Sequence, residues 1–138
     1  MSITPAVERD AAVVLAAFRA IHDDVFAGDS SVNAALEVEV LPVGTLDGPF
    51  GEQSVLILIT PWTLNGLVLP GRGLPESMDV AGQQRALITM ELDAIGTYTQ
   101  VNLVGDVSRY ASQEQARTIA TSMIPVLWAG LLPEPKPE

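Results

Sequence analysis

Apolar residues recur along this chain with two different periods, and each change of period marks a new element. Val7, Ala11, Val14, Phe18, Ile21 and Val25 are spaced alternately four and three apart. That is the stripe of an amphipathic helix about five turns long. Thr4 can cap the free N–H groups, Pro5 suits the first turn, and Gly28 can close the end. The spacing predicts a helix over Pro5–Ala27, with Arg9, Asp10, Arg19 and Asp23 on its other faces.

From Leu36 the period falls to two. Leu36, Val38 and Val40 alternate with Glu37, Glu39 and Leu41, which predicts a strand over Leu36–Val43 with one solvated face. Gly44–Glu52 contains Asp47-Gly48-Pro49 and reads as a connection. The most apolar run follows, Leu56–Gly71, LILITPWTLNGLVLPG. Ser54–Thr60 is apolar on both faces, as in a strand covered from both sides. Proline removes a ladder donor, so the chain is expected to bend at Pro61-Trp62 and resume as a short strand, Leu67–Leu69. Two readings of 61–66 stay open: a hairpin turning at Asn65-Gly66, or one long strand bulged at Pro61-Trp62.

Pro70–Gly82, with its Pro-Gly, Gly73, Pro75 and Gly82, is expected to be a long loop of the functional or mobile kind. Arg85–Leu92 reads as a strand with Ala86, Ile88, Met90 and Leu92 on one face. Thr97–Val104 reads as its hairpin partner, with Tyr98, Gln100 and Asn102 sharing a face. Ser112 and Gln115 form a capping box for a second helix, whose apolar face is Ala116, Ile119, Ala120, Met123 and Leu127. Pro125 is expected to kink or end its regular part and Gly130 to close it. The expected fold is α+β: a mainly antiparallel sheet of about five strands flanked by an N-terminal and a C-terminal amphipathic helix. Residues 1–130 form one domain and 131–138 a flexible, proline-rich tail.

Composition narrows the function. The chain has 138 residues, of which 48% are hydrophobic and 17% charged, as in a globular domain. Seventeen acids against seven bases give a net charge of −10. That field repels nucleic acid and anionic lipid and favours a basic partner. No apolar run has the roughly 18 unbroken residues of a membrane span, and the N-terminus lacks a signal-peptide pattern, so a cytoplasmic protein is expected. There is no cysteine, which excludes disulfides, thiolate metal sites and a thiol nucleophile.

Candidate chemistry is sparse. His22 is the single histidine. Asp23 and Asp24 are adjacent and point to different helix faces, so no metal site or cofactor is expected. No G-x-S-x-G elbow is present, and Gly71-Arg72-Gly73 does not extend to a phosphate-binding loop. No catalytic residue is assigned. An enzyme would need His22 or a carboxylate pair beside a polar strand face such as Tyr98, Gln100 and Asn102. The remaining candidate is a recognition surface. Trp62, at the break in pairing, with Leu64 and Val68 nearby, can anchor a partner, as aromatic residues do at interfaces. It can equally plug the core under the Pro70–Gly82 loop.

Ile59-Thr60-Pro61-Trp62, Leu64-Asn65 and Leu67–Pro70, followed in order by the Ala86–Leu92 strand, Gly96-x-Tyr98 and Gln115-Ala116, resemble the core motif of the HybE/HupJ family of [NiFe]-hydrogenase assembly chaperones. The resemblance spans roughly Leu36 to Leu127. Family members tend to carry a Ser-Pro-containing step before the last helix, where this chain has Val104-Gly105-Asp106-Val107-Ser108-Arg109. Some relatives carry a fused rubredoxin-like domain with cysteine ligands; this chain has no cysteine, which removes a redox role. The resemblance implies a cytoplasmic, non-enzymatic chaperone without a cofactor. Its client would be an immature [NiFe]-hydrogenase large or small subunit, held until cofactor insertion and subunit pairing are complete. Where the enzyme is exported, the chaperone would proofread export by engaging a basic twin-arginine leader. By motif match, Pro61, Trp62, Leu64 and Asn65 are the client-binding or surface-shaping group, with Trp62 as anchor and Asn65 fixing the turn. A homodimer is compatible with this reading. The alternatives are a secretion-type acidic chaperone, which wraps an extended client segment, and a small enzyme using His22.

Overall fold

The computed structural model describes residues 3–26 and 33–131. Its strands are β1 (Glu39–Gly48), β2 (Gly51–Ile59), β3 (Leu64–Leu69), β4 (Ser77–Val80), β5 (Gln83–Ala86), β6 (Ile88–Leu92) and β7 (Gly96–Val104). Its helices are α1 (Pro5–Ile21), α2 (Gln113–Ser122) and α3 (Ile124–Leu131). Five strands form an antiparallel sheet in the order β1-β2-β3-β7-β6, and β4 and β5 form a separate hairpin. The fold is α+β, with helices on both faces of the sheet.

The doubly apolar pattern of β2 has the expected cause. Leu56 and Leu58 pack with Val7, Val14 and Phe18 of α1. Val55, Ile57 and Ile59 face the other way, toward Ala116, Ala120 and Leu127 of α2 and α3. Burying strand residues on both faces requires cover on both sides, and the two terminal helices provide it. β7 divides its faces as its alternation predicts: Tyr98 joins the α1 side, Val101 and Leu103 the α2–α3 side.

The structure corrects several boundaries. Thr4 caps α1 through its hydroxyl, which accepts from Val7 N–H. The α-helix, however, ends at Ile21 and passes into a π-helical turn, His22–Phe26. The wider turn changes the angular step, so Val25 leaves the stripe and is 65% exposed. Ala27 and Gly28 lie outside the described residues. β1 starts at Glu39 because the Glu37 backbone is paired elsewhere: its N–H donates to Gln113 Oε1 and its carbonyl accepts from Gln113 Nε2. β1 then runs on through the expected connection to Gly48, with a register shift at Pro42–Gly44, so the turn shrinks to Pro49-Phe50.

The expected Pro70–Gly82 loop contains β4, because Met78 and Val80 bury apolar side chains in the core beneath α3. The start of the loop is tied down by the buried Gln53. Its Oε1 accepts from the N–H groups of Gly71 and Arg72 at 2.7 Å each, and its Nε2 donates to Arg72 O. The expected strand Arg85–Leu92 is two strands in different sheets. Leu87 breaks it, donating its N–H to Glu76 O. Ser112 caps α2 as expected, and the helix ends at Met123. Pro125 falls in the first turn of α3, where its missing N–H has no helical partner to lose. Gly130 does not close the helix; it lies within α3 and packs on Met78.

Arg117 of α2 clamps β1. Its Nε and Nη2 donate to the two carboxylate oxygens of Glu39 at 2.8 and 3.0 Å, and Gln113 Nε2 adds a bond at 2.8 Å. Arg117, and after it Gln113, hold the Glu39 carboxyl below its ordinary 4.5. A lowered carboxylate pKa stabilises the fold above the unfolded value, and that stability is lost as pH falls through the folded value. Arg117→Met is therefore expected to destabilise the fold slightly at pH 7. The gap from wild type should narrow below about pH 4.5 in urea melts.

Candidate functional site

Thr60 builds the bend at Pro61-Trp62. Its side chain is fully buried, and its hydroxyl donates to Thr63 O at 2.9 Å. The same oxygen accepts from Trp62 N–H at 3.2 Å and Thr63 N–H at 2.8 Å, and Thr60 N–H donates to Thr63 O. Ile59 pairs with Leu64, so β2 and β3 form a hairpin whose tip is Pro61-Trp62. Neither of the two open readings forms: 55–69 is not one long bulged strand, and the hairpin turns at Pro61-Trp62. Asn65-Gly66 is not the turn but part of β3, paired with Leu58 and Ile57. The second strand begins at Leu64 rather than Leu67.

The hairpin tip projects Trp62 beside the end of α1. The Trp62 ring stacks on His22, with ring centroids 6.1 Å apart and planes 5° from parallel. His22 Nδ1 lies 3.4 Å from Asp23 Oδ1. α1 packs over β1 and β2. On the same face, beyond α1, an open groove of about 410 Å³ runs across β3, β7 and β6. Phe18 and Ile21 form one wall, Trp62 and Thr63 close an end, and Met90 and Leu92 of β6 lie opposite. Its floor is Tyr98, Gln100, Asn102 and Asn65. The groove is apolar at its walls and amide-rich at its base.

That base is hydrogen-bonded. Asn102 Nδ2 donates to Thr63 Oγ1 at 2.9 Å and to Asn65 Oδ1 at 3.0 Å, while Thr63 Oγ1 donates to Asn65 Oδ1 at 3.2 Å. Asn65 and Asn102 are cross-strand neighbours in a register that shifts between Leu64 and Asn65. Satisfied buried amides hold one geometry. Burial pushes the Tyr98 hydroxyl up from its ordinary value. On the other side of Trp62 lies a smaller pocket of about 200 Å³, bounded by Asn33, Pro61 and residues 105–108. Asn33 ties this corner together: its N–H donates to Pro61 O, and its Nδ2 donates to Val107 O and Tyr110 O. The Asp106 carboxyl there is held below its usual range by hydrogen bonds from Ser108.

The four residues singled out from the sequence are not one surface. Trp62 is half-buried and borders both cavities. Asn65, 7% exposed, lies in the groove floor. It does not fix a turn; it braces β3 against β7. Pro61 is buried at the hairpin tip and borders the smaller pocket. Leu64 is 0% exposed in the core on the opposite face of the sheet, so it shapes the hairpin from beneath. Trp62 is not a plug under the Pro70–Gly82 loop either. That loop leaves the far end of β3, roughly 17 Å away at the usual rise of a strand. Tyr98, Gln100 and Asn102 do share the groove, as their alternation predicts.

Sequence reasoning missed Thr63, Phe18, Ile21, Met90 and Leu92 as groove residues, and Thr60 as the residue that builds the bend beside them. The Thr-Pro-Trp-Thr bracket carries a legible signal, because threonine hydroxyls satisfy turn amides. The wall residues carry none beyond apolarity. Among the described residues, no group of three His, Asp or Glu side chains can hold a metal ion. No helix of the described residues is long and apolar enough to cross a membrane.

Comparison with known proteins agrees with the fold and motif. No curated protein matches the sequence. The solution structure of HybE from Escherichia coli superposes with a TM-score of 0.59 at 22% identity, covering 91% of this chain and 78% of that one. A family described as "[NiFe]-hydrogenase assembly, chaperone, HybE" matches residues 9–136. The chain therefore belongs to the HybE family of non-enzymatic [NiFe]-hydrogenase assembly chaperones.

Proposed function

We propose that this protein binds an immature [NiFe]-hydrogenase subunit in the cytoplasm. It would hold that subunit until cofactor insertion and subunit pairing are complete. The observation that carries this reading is the groove beside Trp62: apolar walls, a hydrogen-bonded base and an aromatic side chain at the rim. Such a surface suits a client whose own apolar faces are not yet paired, because a partly buried aromatic gives contact area with little rotamer entropy lost. Trp62 is the anchor, and Asn65 with Asn102 sets the depth of the floor. Pro61 and Leu64 fix the position of the anchor from within the protein. The net charge of −10 favours a basic client segment, and for exported enzymes that segment is the twin-arginine leader.

Co-purification tests the proposal. The tagged chain, expressed with the large-subunit and small-subunit precursors of a [NiFe] hydrogenase separately, should retain one precursor and release it once the mature heterodimer forms. Equal retention of precursor and mature enzyme would refute a holding role. A small-subunit precursor retained equally well without its leader would refute leader recognition alone.

A further inference from the structure

The two edges of the sheet are built differently. β1 contains Pro42, shifts register at Pro42–Gly44, and is clamped at its start by Gln113 and Arg117. Proline, bulges and covering side chains are among the devices that stop edge strands from pairing with other chains, alongside shortness and charge. β6 has none of the first three. Its sequence is Ile88-Thr89-Met90-Glu91-Leu92, its register with β7 is unbroken, and among the described residues nothing pairs with its outer side. Thr89 and Glu91 are exposed, and Ile88 is 50% exposed. The same strand carries Met90 and Leu92 into the groove, so the open edge and the Trp62 groove are continuous.

Charge selects the occupant. Glu91 lies on β6, Asp93 follows it, and Asp23 and Asp24 follow the His22 that stacks on Trp62; all four carboxylates are exposed. The nearest preceding base, Arg85, has Nη2 bonded to Gln83. A second copy of the chain would bring another charge of −10 to this edge, which opposes self-association. A cationic partner meets no such barrier.

We propose that β6 accepts an extended, basic segment of the client as an added strand. This deepens the holding role above and rests on it. Strand addition places alternate side chains of the segment on alternate faces. Apolar residues then lie beside Ile88, Met90 and Leu92 and reach the groove, while basic residues lie beside Thr89 and Glu91. Main-chain pairing supplies affinity with little demand on sequence, and the alternation supplies selectivity.

The test is amide hydrogen exchange on the full chain, alone and with the co-purified hydrogenase subunit precursor. Two variants, Thr89→Pro and Met90→Pro, run beside it. Alternate amides within Ile88–Leu92 should slow at least about tenfold in the complex. One proline removes an outward amide and the other an inward amide that β7 needs. The variant that keeps wild-type circular dichroism should bind the precursor about tenfold more weakly. Glu91→Lys should weaken it further at low salt than at high salt. Precursor bound with unchanged exchange in β6 overturns strand addition and leaves the holding role intact. Protection of β6 that rises with protein concentration in the absence of client overturns the choice of occupant in favour of a second copy. Failure of any precursor to bind overturns both readings.

Discussion

Leu127→Ala is expected to be the most destabilising single truncation on the α2–α3 side, costing about 3 kcal/mol within the usual range of roughly 2–5 for a buried leucine. Leu127 is 0% exposed and seats α3 on the sheet. The seat exists because β3 has a glycine there. A Cβ on Gly66 would stand 2.8 Å from Leu127 Cδ1 and 3.2 Å from Val101 Cγ1. The leucine therefore packs directly against bare backbone. In a chain of this length the loss should lower the melting temperature by on the order of 10 °C, measured by calorimetry. The pair is also predicted to couple. Gly66→Ala alone should destabilise by about 1–3 kcal/mol through overpacking. In a Leu127→Ala background the same methyl enters the cavity and should be neutral or stabilising. Additive effects in a double-mutant cycle would refute this account of how α3 docks.

Trp62→Ala is expected to weaken capture of the hydrogenase precursor by roughly thirtyfold or more, the cost of losing an interfacial aromatic anchor of about 2 kcal/mol. Stability should fall much less. Thr60 holds the hairpin through its own hydroxyl, and that network stays in place when the mutation removes the stack on His22 and the rim of the groove. Trp62→Phe should keep most of the binding. Thr60→Val is the informative contrast. It leaves the N–H groups of Trp62 and Thr63 without their acceptor, at a cost of about 1–3 kcal/mol, and it misplaces an intact tryptophan. Binding should fall in both Thr60→Val and Trp62→Ala, whereas stability should fall markedly only in Thr60→Val. Wild-type affinity in Trp62→Ala would move the binding surface away from this groove.

What the sequence showed of the site was its chemistry rather than its shape. Trp62 stood out because it interrupts an apolar run, and Tyr98, Gln100 and Asn102 because they alternate. Nothing local revealed that α1 leaves part of its own sheet face open, or that Asn65 and Asn102 meet across β3 and β7. Leu64 was grouped with Trp62 by proximity in the chain, yet strand alternation sends it to the opposite face. Asn65-Gly66 is a strong hairpin signal. Here it yields to the Thr60 hydroxyl network, which turns the chain four residues earlier at Pro61-Trp62, and to the packing of Leu127 on Gly66.

The elements whose signal is periodic or local are legible from the residues alone: the α1 stripe and its Thr4 cap, the two-sided burial of β2, the β6–β7 hairpin and the Ser112 cap. Those patterns reflect backbone geometry and the faces it exposes, and both are written in neighbouring residues. The folded molecule alone sets where partners distant in the chain compete for a backbone. Gln113 takes the Glu37 backbone and delays β1, Glu76 takes Leu87 and splits the predicted strand into β5 and β6, and Gln53 pins the loop after β3. It also decided the groove, because a concave surface is the space left between α1, the hairpin tip and β6, and no one segment encodes it.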